Sequence, residues 1–243
     1  MFIAIDKDNN RIEIEKADKT KEYFCPVCRE KLDIRAKESI AIKTHFAHKR
    51  NLQCVDNWNR DMSEWHLNWQ RRFPIECREV VIEHNGTKHR ADVCIGNTII
   101  EFQHSPLKSE EFRERTEFYT SCGYNVVWVF DAEGKIKSCY PKGCEIDPNK
   151  YSFIELCWKR RNTLFSIEPS LDLNIFIQYR VENKDIMLKL KSVSSDGFKF
   201  YRTYPNYVLI DNFLKEYGAI SDSSILSVSA IIAQTKDVYK NIP

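Results

Sequence analysis

Apolar and polar residues alternate on both sides of Gly96 and Asn97, a pattern that predicts an antiparallel hairpin. A glycine at the first loop position supplies the positive φ that this kind of two-residue turn requires. With these two residues as the loop, Asp92 faces Glu101 across the strands. Because side chains alternate along a strand, Gln103 lies on the same face as the two carboxylates, and apolar residues cover the other face.

Two further elements are predicted before this hairpin. Aromatic residues at four-residue spacing predict a helix that begins after Ser63, its expected N-cap, and stops before Pro74. An Asn-Gly pair at 85–86 then predicts a tight turn and a third antiparallel strand beside the carboxylate hairpin. If pairing continues along that strand, it brings Glu79 opposite Asp92.

A helix and a buried strand are predicted after the hairpin. The helix begins at Ser105, its expected cap, has a proline in its first turn and ends before Gly123. The apolar run at 124–130 is typical of a buried strand. The predicted order over 63–131 is therefore helix, three strands, helix and strand.

The two ends of the chain show weaker patterns. Residues 1–20 predict a small hairpin, and a second hairpin is expected about Asn183 and Lys184. Residues 208–217 predict a short helix before a glycine. No motif in the C-terminal region indicates a chemistry.

The composition narrows the class of protein only modestly. The chain has 243 residues, of which 42% are hydrophobic and 30% charged, as in ordinary soluble globular proteins. Its net charge of +2 permits nucleic-acid binding without indicating it. No apolar run reaches the roughly 18 residues of a membrane span, and no secretory signal is present, so we expect a cytoplasmic protein and no membrane partner. Nine cysteines in such a chain favour reduced thiols, some of them bound to metal.

A Cys-x-x-Cys knuckle at Cys25 and Cys28 indicates a structural zinc site. It is followed by two histidines and a further cysteine, which offer the imidazole and thiolate ligands that Zn²⁺ prefers. His48 is the expected third ligand, and the fourth is either His45 or Cys54. The surrounding segment has few large apolar residues, so we expect the metal to supply part of its folding energy.

The carboxylate pair predicts a second, catalytic metal site. Directly opposed residues have Cβ atoms about 4.5–5.5 Å apart, so Asp92 and Glu101 repel unless they share a proton or a cation. A Mg²⁺ or Mn²⁺ ion held there could polarise a phosphate and activate a water for phosphodiester hydrolysis. Gln103 is expected to position the water or a phosphate oxygen. Glu64 is a further candidate ligand, and His66 is a candidate for proton transfer or phosphate contact.

These residues resemble the core of the PD-(D/E)XK nucleases, in which an aspartate precedes a Glu-x-Lys step. Here Asp92 precedes Glu101-Phe102-Gln103, so glutamine stands where lysine is commoner. A neutral amide carries no charge, which leaves more of the charge stabilisation to the metal.

The resemblance narrows to the competence protein CoiA-like nuclease family. The segments that carry it are 63–69, 89–92 and 100–105, together with Cys-Pro-x-Cys and His-Phe-Ala-His in the N-terminal part. It covers about residues 20–132 and implies a zinc-finger-like segment followed by a metal-dependent nuclease linked to DNA uptake and recombination or to phage defence. An endonuclease is expected rather than an exonuclease. DNA is favoured over RNA as the substrate. The basic side chains expected to contact nucleic acid are Arg115, Arg90, Arg72, Lys49 and Arg50.

The predicted fold class is α/β, with a restriction-endonuclease-like mixed sheet flanked by helices. A small zinc-binding module is expected at 1–60, the nuclease core at 61–135, and an α+β region at 136–243. The last region is a candidate for binding a protein partner or a second copy of the chain. A nuclease fold without activity, which binds DNA or serves as a protein-interaction adaptor, is the alternative.

Overall fold

The structure is a computed structural model, in which the chain forms two compact units. The first comprises Met1–Ser105 and Arg113–Val126, and the second comprises Pro106–Phe112 and Val127–Pro243. The division into three domains at residues 60 and 135 stays a prediction. The residues that the structure describes are 1–35, 44–49, 54, 63–133, 136–141, 154–158, 174–181, 184–189, 192–193, 200–201 and 210–217.

The N-terminal part of the first unit is a five-stranded antiparallel sheet with the order β2-β1-β3-β4-β5. Its strands are β1 (Ile3–Ile5), β2 (Arg11–Glu13), β3 (Tyr23–Phe24), β4 (Lys31–Arg35) and β5 (His45–His48), with a 3-10 helix at Ile14–Lys16 after β2. The predicted hairpin is confirmed, because Ala4 pairs with Ile12. Asp6 forms its turn by accepting hydrogen bonds from the N–H groups of Asp8 and Asn10 at 2.8 and 2.9 Å.

This sheet shares a hydrophobic core with the first α-helix. Phe2, Tyr23, Leu32 and Phe46 are buried together with Leu67 of that helix. The few large apolar residues of the cysteine-rich segment therefore do not form a core of their own. They pack against the N-terminal hairpin and the helix instead, which fixes the position of the helix from one side.

The rest of the first unit carries the carboxylate hairpin. Its elements are α1 (Glu64–Gln70), a 3-10 helix (Ile75–Cys77), β6 (Arg78–His84), β7 (Thr87–Ile95) and β8 (Thr98–Gln103). β7 pairs antiparallel with both β6 and β8. The predicted registers are confirmed, since Val81 pairs with Arg90 and Val93 pairs with Ile100. Ser63 caps α1 as predicted, and its hydroxyl oxygen accepts from His66 N at 3.2 Å.

Both predicted turns have the backbone conformation that their glycines allow. Asn85 and Gly86 have φ of +49° and +78°, as a type I′ turn requires. Gly96 has φ of +55°, at the first position of the second turn. Because these turns contain two residues each, they fix the registers that place Asp92 beside Glu101.

Glu79 departs from regular strand geometry. The β6–β7 ladder pairs Val80 with Ala91 and Arg78 with Val93, while Glu79 lies between them at φ +48°. This left-handed conformation is costly for a residue with a side chain. The register is the same on both sides of Glu79, so this residue lies opposite Asp92 as predicted, but it does not form a ladder pair there.

The buried start of β6 joins the N-terminal sheet instead. The Glu79 carboxylate accepts hydrogen bonds from Phe2 N at 2.7 Å and Ile3 N at 3.2 Å. Arg78 forms an ion pair with Glu13 of β2. Burial alone would raise the pKa of Glu79, but the charges of the Met1 ammonium group and Arg90 and the two N–H donors lower it. Glu79 thus holds β1 as an ionised carboxylate.

The second long helix begins later than predicted. α2 covers Ser109–Ser121, so Ser105 does not cap it. The Ser105 carbonyl oxygen instead accepts a hydrogen bond from Gln103 Nε2 at 2.7 Å. The predicted end is confirmed: Gly123 has φ of +86°, and its N–H and that of Tyr124 donate to the carbonyls of Thr120 and Tyr119.

The second unit contains a mixed sheet. β9 (Asn125–Asp131) pairs in parallel with β12 (Asn174–Val181), which pairs antiparallel with β13 (Lys184–Lys189). Its other elements are β10 (Ile136–Pro141), β11 (Ile154–Trp158), β14 (Ser192–Val193), β15 (Phe200–Tyr201) and α3 (Ile210–Glu216). The β12–β13 loop lies between Val181 and Lys184, one position before the predicted turn centre.

These elements confirm a mixed α/β fold with few helices. The predicted buried strand at 124–130 and the short C-terminal helix are both present. Gly218, which was expected to end that helix, lies outside the described residues. No helix in the described part of the chain is long and apolar enough to cross a membrane.

Candidate active site and metal cluster

Three thiols and one imidazole meet between β3 and β5. Cys25, Cys28, His48 and Cys54 each offer one ligand atom, and these atoms lie within 4.8 Å of one another. Cys25 Sγ is 3.5 Å from Cys54 Sγ, and His48 Nε2 is 3.3 Å from Cys28 Sγ and 3.6 Å from Cys54 Sγ. A tetrahedral zinc with ordinary bond lengths separates its ligand atoms by about 3.5–3.8 Å. The cluster therefore has the dimensions of a metal site.

The structure places one of the two candidates for the fourth ligand in this cluster. Cys54 joins the cluster, and His45 does not. His45 and His48 are three residues apart on β5, and residues at that spacing point to opposite faces of a strand. The preference for Cys54 could have been predicted if the segment had been recognised as a strand.

The protonation states of the cluster depend on a metal. Burial and the neighbouring Cys25 raise the pKa of the Cys54 thiol to about 12, and burial also raises that of Cys28. Without a cation the Cys28 and Cys54 thiols therefore stay protonated at neutral pH. Burial and the nearby Arg90 lower the pKa of His48, which favours the neutral imidazole that a metal ligand needs.

The carboxylate pair lies on β7 and β8 directly beyond the last paired residues, where side chains form hydrogen bonds with the main chain. Asp92 N donates to Glu101 Oε1 at 3.4 Å, and Phe102 N donates to Asp92 Oδ2 at 2.9 Å. Asp92 is only 3% exposed and Glu101 is fully buried at 0%. Phe102 packs in the aromatic core of the unit, with its ring 5.3 Å from that of Trp69. The pair is thus not a solvated surface feature.

Each carboxylate contacts a basic side chain from a helix. His66 Nε2 of α1 lies 3.1 Å from Asp92 Oδ1, and a guanidinium nitrogen of Arg115 on α2 lies 3.1 Å from Glu101 Oε2. His66 and Arg115 are both only 2% exposed. Arg115 was expected to contact nucleic acid, and the structure buries it against Glu101. His66 lies beside Asp92. The predicted roles of both residues stay predictions.

The burial of Arg115 could have been predicted from the sequence. Phe112, Arg115 and Tyr119 recur at helical spacing on α2, and all three are buried. A basic residue on the apolar face of a helix indicates a buried counter-charge. The sequence could not show which carboxylate it contacts.

Two glutamines border the pair. Gln103 is 5% exposed and donates from Nε2 to the Ser105 carbonyl. Gln70, at the end of α1, is 1% exposed and donates from Nε2 to the Asp92 carbonyl at 3.4 Å. The sequence indicated Gln103 but gave no catalytic role to Gln70. Its spacing of four residues from His66, which puts both on one face of α1, is the signal that could have indicated it.

Glu64 is exposed in the first turn of α1. Within the described residues, the Cys/His cluster is the only group of three or more His, Cys, Asp or Glu ligand atoms this close together. Glu64 therefore does not form such a group with Asp92 and Glu101. Its role as a metal ligand stays a prediction.

The remaining predicted nucleic-acid contacts lie in different surroundings. Lys49 is exposed directly after β5, and Arg90 is half-buried. Arg72 is half-buried, with its guanidinium carbon 5.4 Å from the centre of the Trp69 ring. Arg50 lies outside the described residues. The locations of these residues do not show whether they bind nucleic acid, so their predicted role stays a prediction.

Comparison with protein families gives two matches. Residues 62–204, more than half of the chain, match the model described as "Competence protein CoiA, nuclease-like domain". Residues 6–57 match the model described as "Competence protein CoiA, N-terminal domain". The first match includes the whole carboxylate site, and the second includes the Cys/His cluster. Searches of curated proteins and of solved structures gave no match.

Proposed function

This chain belongs to the competence protein CoiA family, and we propose that it is a metal-dependent nuclease that hydrolyses phosphodiester bonds. The observation that carries the proposal is the buried Asp92–Glu101 pair within a nuclease-like domain. Burying two adjacent carboxylates is costly unless cations accompany them, and such an arrangement is typical of functional sites. DNA is favoured over RNA as the substrate, and an internal bond over a chain end.

The donor set suits a hard divalent cation. Mg²⁺ and Mn²⁺ prefer oxygen ligands, and Asp92 and Glu101 would hold the ion. When bound, the cation would polarise the phosphate and lower the pKa of a water. Because both carboxylates are buried, neighbouring side chains must move to admit the ion.

The protein's own residues orient the site. His66 fixes the Asp92 carboxylate from one side, and Arg115 fixes that of Glu101 from the other. Gln103 would position a water or a phosphate oxygen, and it carries no charge of its own. The proposed catalytic set is therefore Asp92, Glu101, Gln103, His66 and, as a third acidic group, Glu64.

The N-terminal module would bind a structural zinc. Its ligands would be Cys25, Cys28, His48 and Cys54, whose spacing and chemistry suit this ion. Lys49 is exposed next to His48, where it could contact a phosphate backbone. A cytoplasmic role in DNA uptake and recombination or in phage defence is part of the proposal, as is binding of a protein or a second copy through the C-terminal region.

One observation favours a second candidate function. Arg115 already accompanies Glu101, so that carboxylate does not depend on a metal for its counter-charge. A nuclease fold that binds DNA, or serves as an adaptor, without cutting would be compatible with that arrangement. The two candidates differ in one measurable property, which is cleavage.

The experiment compares pure protein with its Asp92→Ala and Glu101→Ala variants. Each is incubated with supercoiled DNA, single-stranded DNA and RNA in Mg²⁺ or Mn²⁺. We expect cleavage by the natural protein and its loss in both variants. Equal cleavage by all three would refute the assignment of the site, and binding without cleavage would favour the second candidate.

A further inference from the structure

Gln70 places a buried amide group beside the carboxylate pair. It is the last residue of α1 and is only 1% exposed. Its Nε2 donates to the main-chain carbonyl of Asp92 over 3.4 Å, which is long for a hydrogen bond. Its Oε1 has no hydrogen-bond partner among the residues that the structure describes.

The orientation of this amide follows from the chemistry of its neighbour. The Asp92 carbonyl can only accept a hydrogen bond, so the Gln70 nitrogen must face it. A rotated amide would set two oxygens against each other. The Gln70 oxygen is therefore the atom turned away from the Asp92 main chain, with its acceptor capacity unused.

A buried carbonyl oxygen without a donor is uncommon in folded proteins. Nearly all such groups are hydrogen-bonded, and leaving one unsatisfied lowers stability. Leucine has a similar size and would remove the unsatisfied oxygen, losing only the long hydrogen bond to the Asp92 carbonyl. The presence of glutamine is explained if a donor arrives from outside the chain.

We propose that Gln70 Oε1 accepts a hydrogen bond from a water carried by the divalent cation that Asp92 and Glu101 would hold. The inference rests on the proposed nuclease function and adds a positioning residue to it. Mg²⁺ retains several waters when proteins bind it, and those waters need acceptors. A neutral amide supplies one without adding a third negative charge to the buried pair.

The test measures metal binding apart from cleavage. Zinc-loaded protein is titrated with Mn²⁺ and followed by electron paramagnetic resonance, and thermal unfolding is recorded without Mn²⁺. Gln70→Leu should leave the unfolding temperature unchanged or higher and weaken Mn²⁺ binding by roughly 10- to 100-fold, the usual loss when an outer partner of a metal site is removed. Gln70→Glu retains an acceptor oxygen and should bind Mn²⁺ more tightly than Gln70→Leu.

A matched control is Gln178→Leu, which replaces another buried glutamine, on β12. It should bind Mn²⁺ like the natural protein. Natural affinity in Gln70→Leu would overturn the inference. If Gln70→Leu does not fold, Gln70→Met is measured in its place, and unfolding of both would show a structural role and also overturn it.

The same titration separates this inference from the proposed function. If Asp92→Ala abolishes Mn²⁺ binding and Gln70→Leu does not weaken it, only the role of Gln70 is wrong. If Asp92→Ala binds Mn²⁺ like the natural protein, the carboxylate pair is not the cation site, and both proposals are refuted.

Discussion

Replacing Arg115 with methionine would remove the cation beside a carboxylate that has no exposure to solvent. The guanidinium lies 3.1 Å from Glu101 Oε2, and the two side chains are 3% and 0% exposed. At an effective dielectric constant of about 20, two unit charges at this distance attract by about 5 kcal/mol. Breaking a buried pair by removing one partner typically costs about 3–5 kcal/mol. We therefore expect the free energy of unfolding of Arg115→Met to fall by about 4 kcal/mol.

Urea unfolding followed by tryptophan fluorescence would measure this change. A matched control is Arg71→Met, which breaks the more exposed ion pair with Glu15 and should cost less than about 1 kcal/mol. The double variant Arg115→Met with Glu101→Gln should recover much of the loss, because neither position of this buried ion pair then carries a charge. If Arg115→Met were as stable as the natural protein, Arg115 would not be the counter-charge of Glu101.

Two further predictions concern the N-terminal sheet. His48→Ala and Cys54→Ser should lose the bound zinc, while His45→Ala should retain about one zinc per chain, as measured by elemental analysis. The ligand set would be contradicted if His45→Ala lost the zinc and the other two variants kept it. The pKa of Glu79 is lowered in the folded protein, so its ionised carboxylate stabilises the fold. This contribution is complete at pH values above the pKa of the unfolded state, about 4.3, and is lost as the pH falls through the lower pKa of the folded state. Glu79→Gln should lower the free energy of unfolding by about 2 kcal/mol at pH 7. It should also reduce the loss of stability at acidic pH, as measured by urea unfolding. If that loss were the same in the variant and the natural protein, Glu79 would not be its cause.

The strand registers of the carboxylate hairpin could be predicted because they depend on local chemistry. Glycine and asparagine in two-residue loops determine the turn conformation, and alternation then assigns each side chain to a face. The N-cap at Ser63 and the helix end at Gly123 follow from equally local rules. These features place Asp92 beside Glu101, and His66 in the first turns of α1, before any long-range contact is considered.

The features that could not be predicted depend on contacts between distant parts of the chain. Glu79 adopts its positive φ where it binds β1, which lies 76 and 77 positions away in sequence. The pairing of Arg115 with Glu101 and the approach of Gln70 to Asp92 likewise require the packed structure.

A single-turnover cleavage measurement tests the central claim most directly. Zinc-loaded protein and its near-isosteric variants Asp92→Asn and Glu101→Gln are mixed with labelled DNA and Mg²⁺, and DNA affinity is measured alongside by fluorescence anisotropy. Because the metal contributes several kcal/mol of transition-state stabilisation, we expect each variant to cleave about 1000-fold more slowly while binding DNA with similar affinity. Equal rates in the natural protein and both variants would contradict the account.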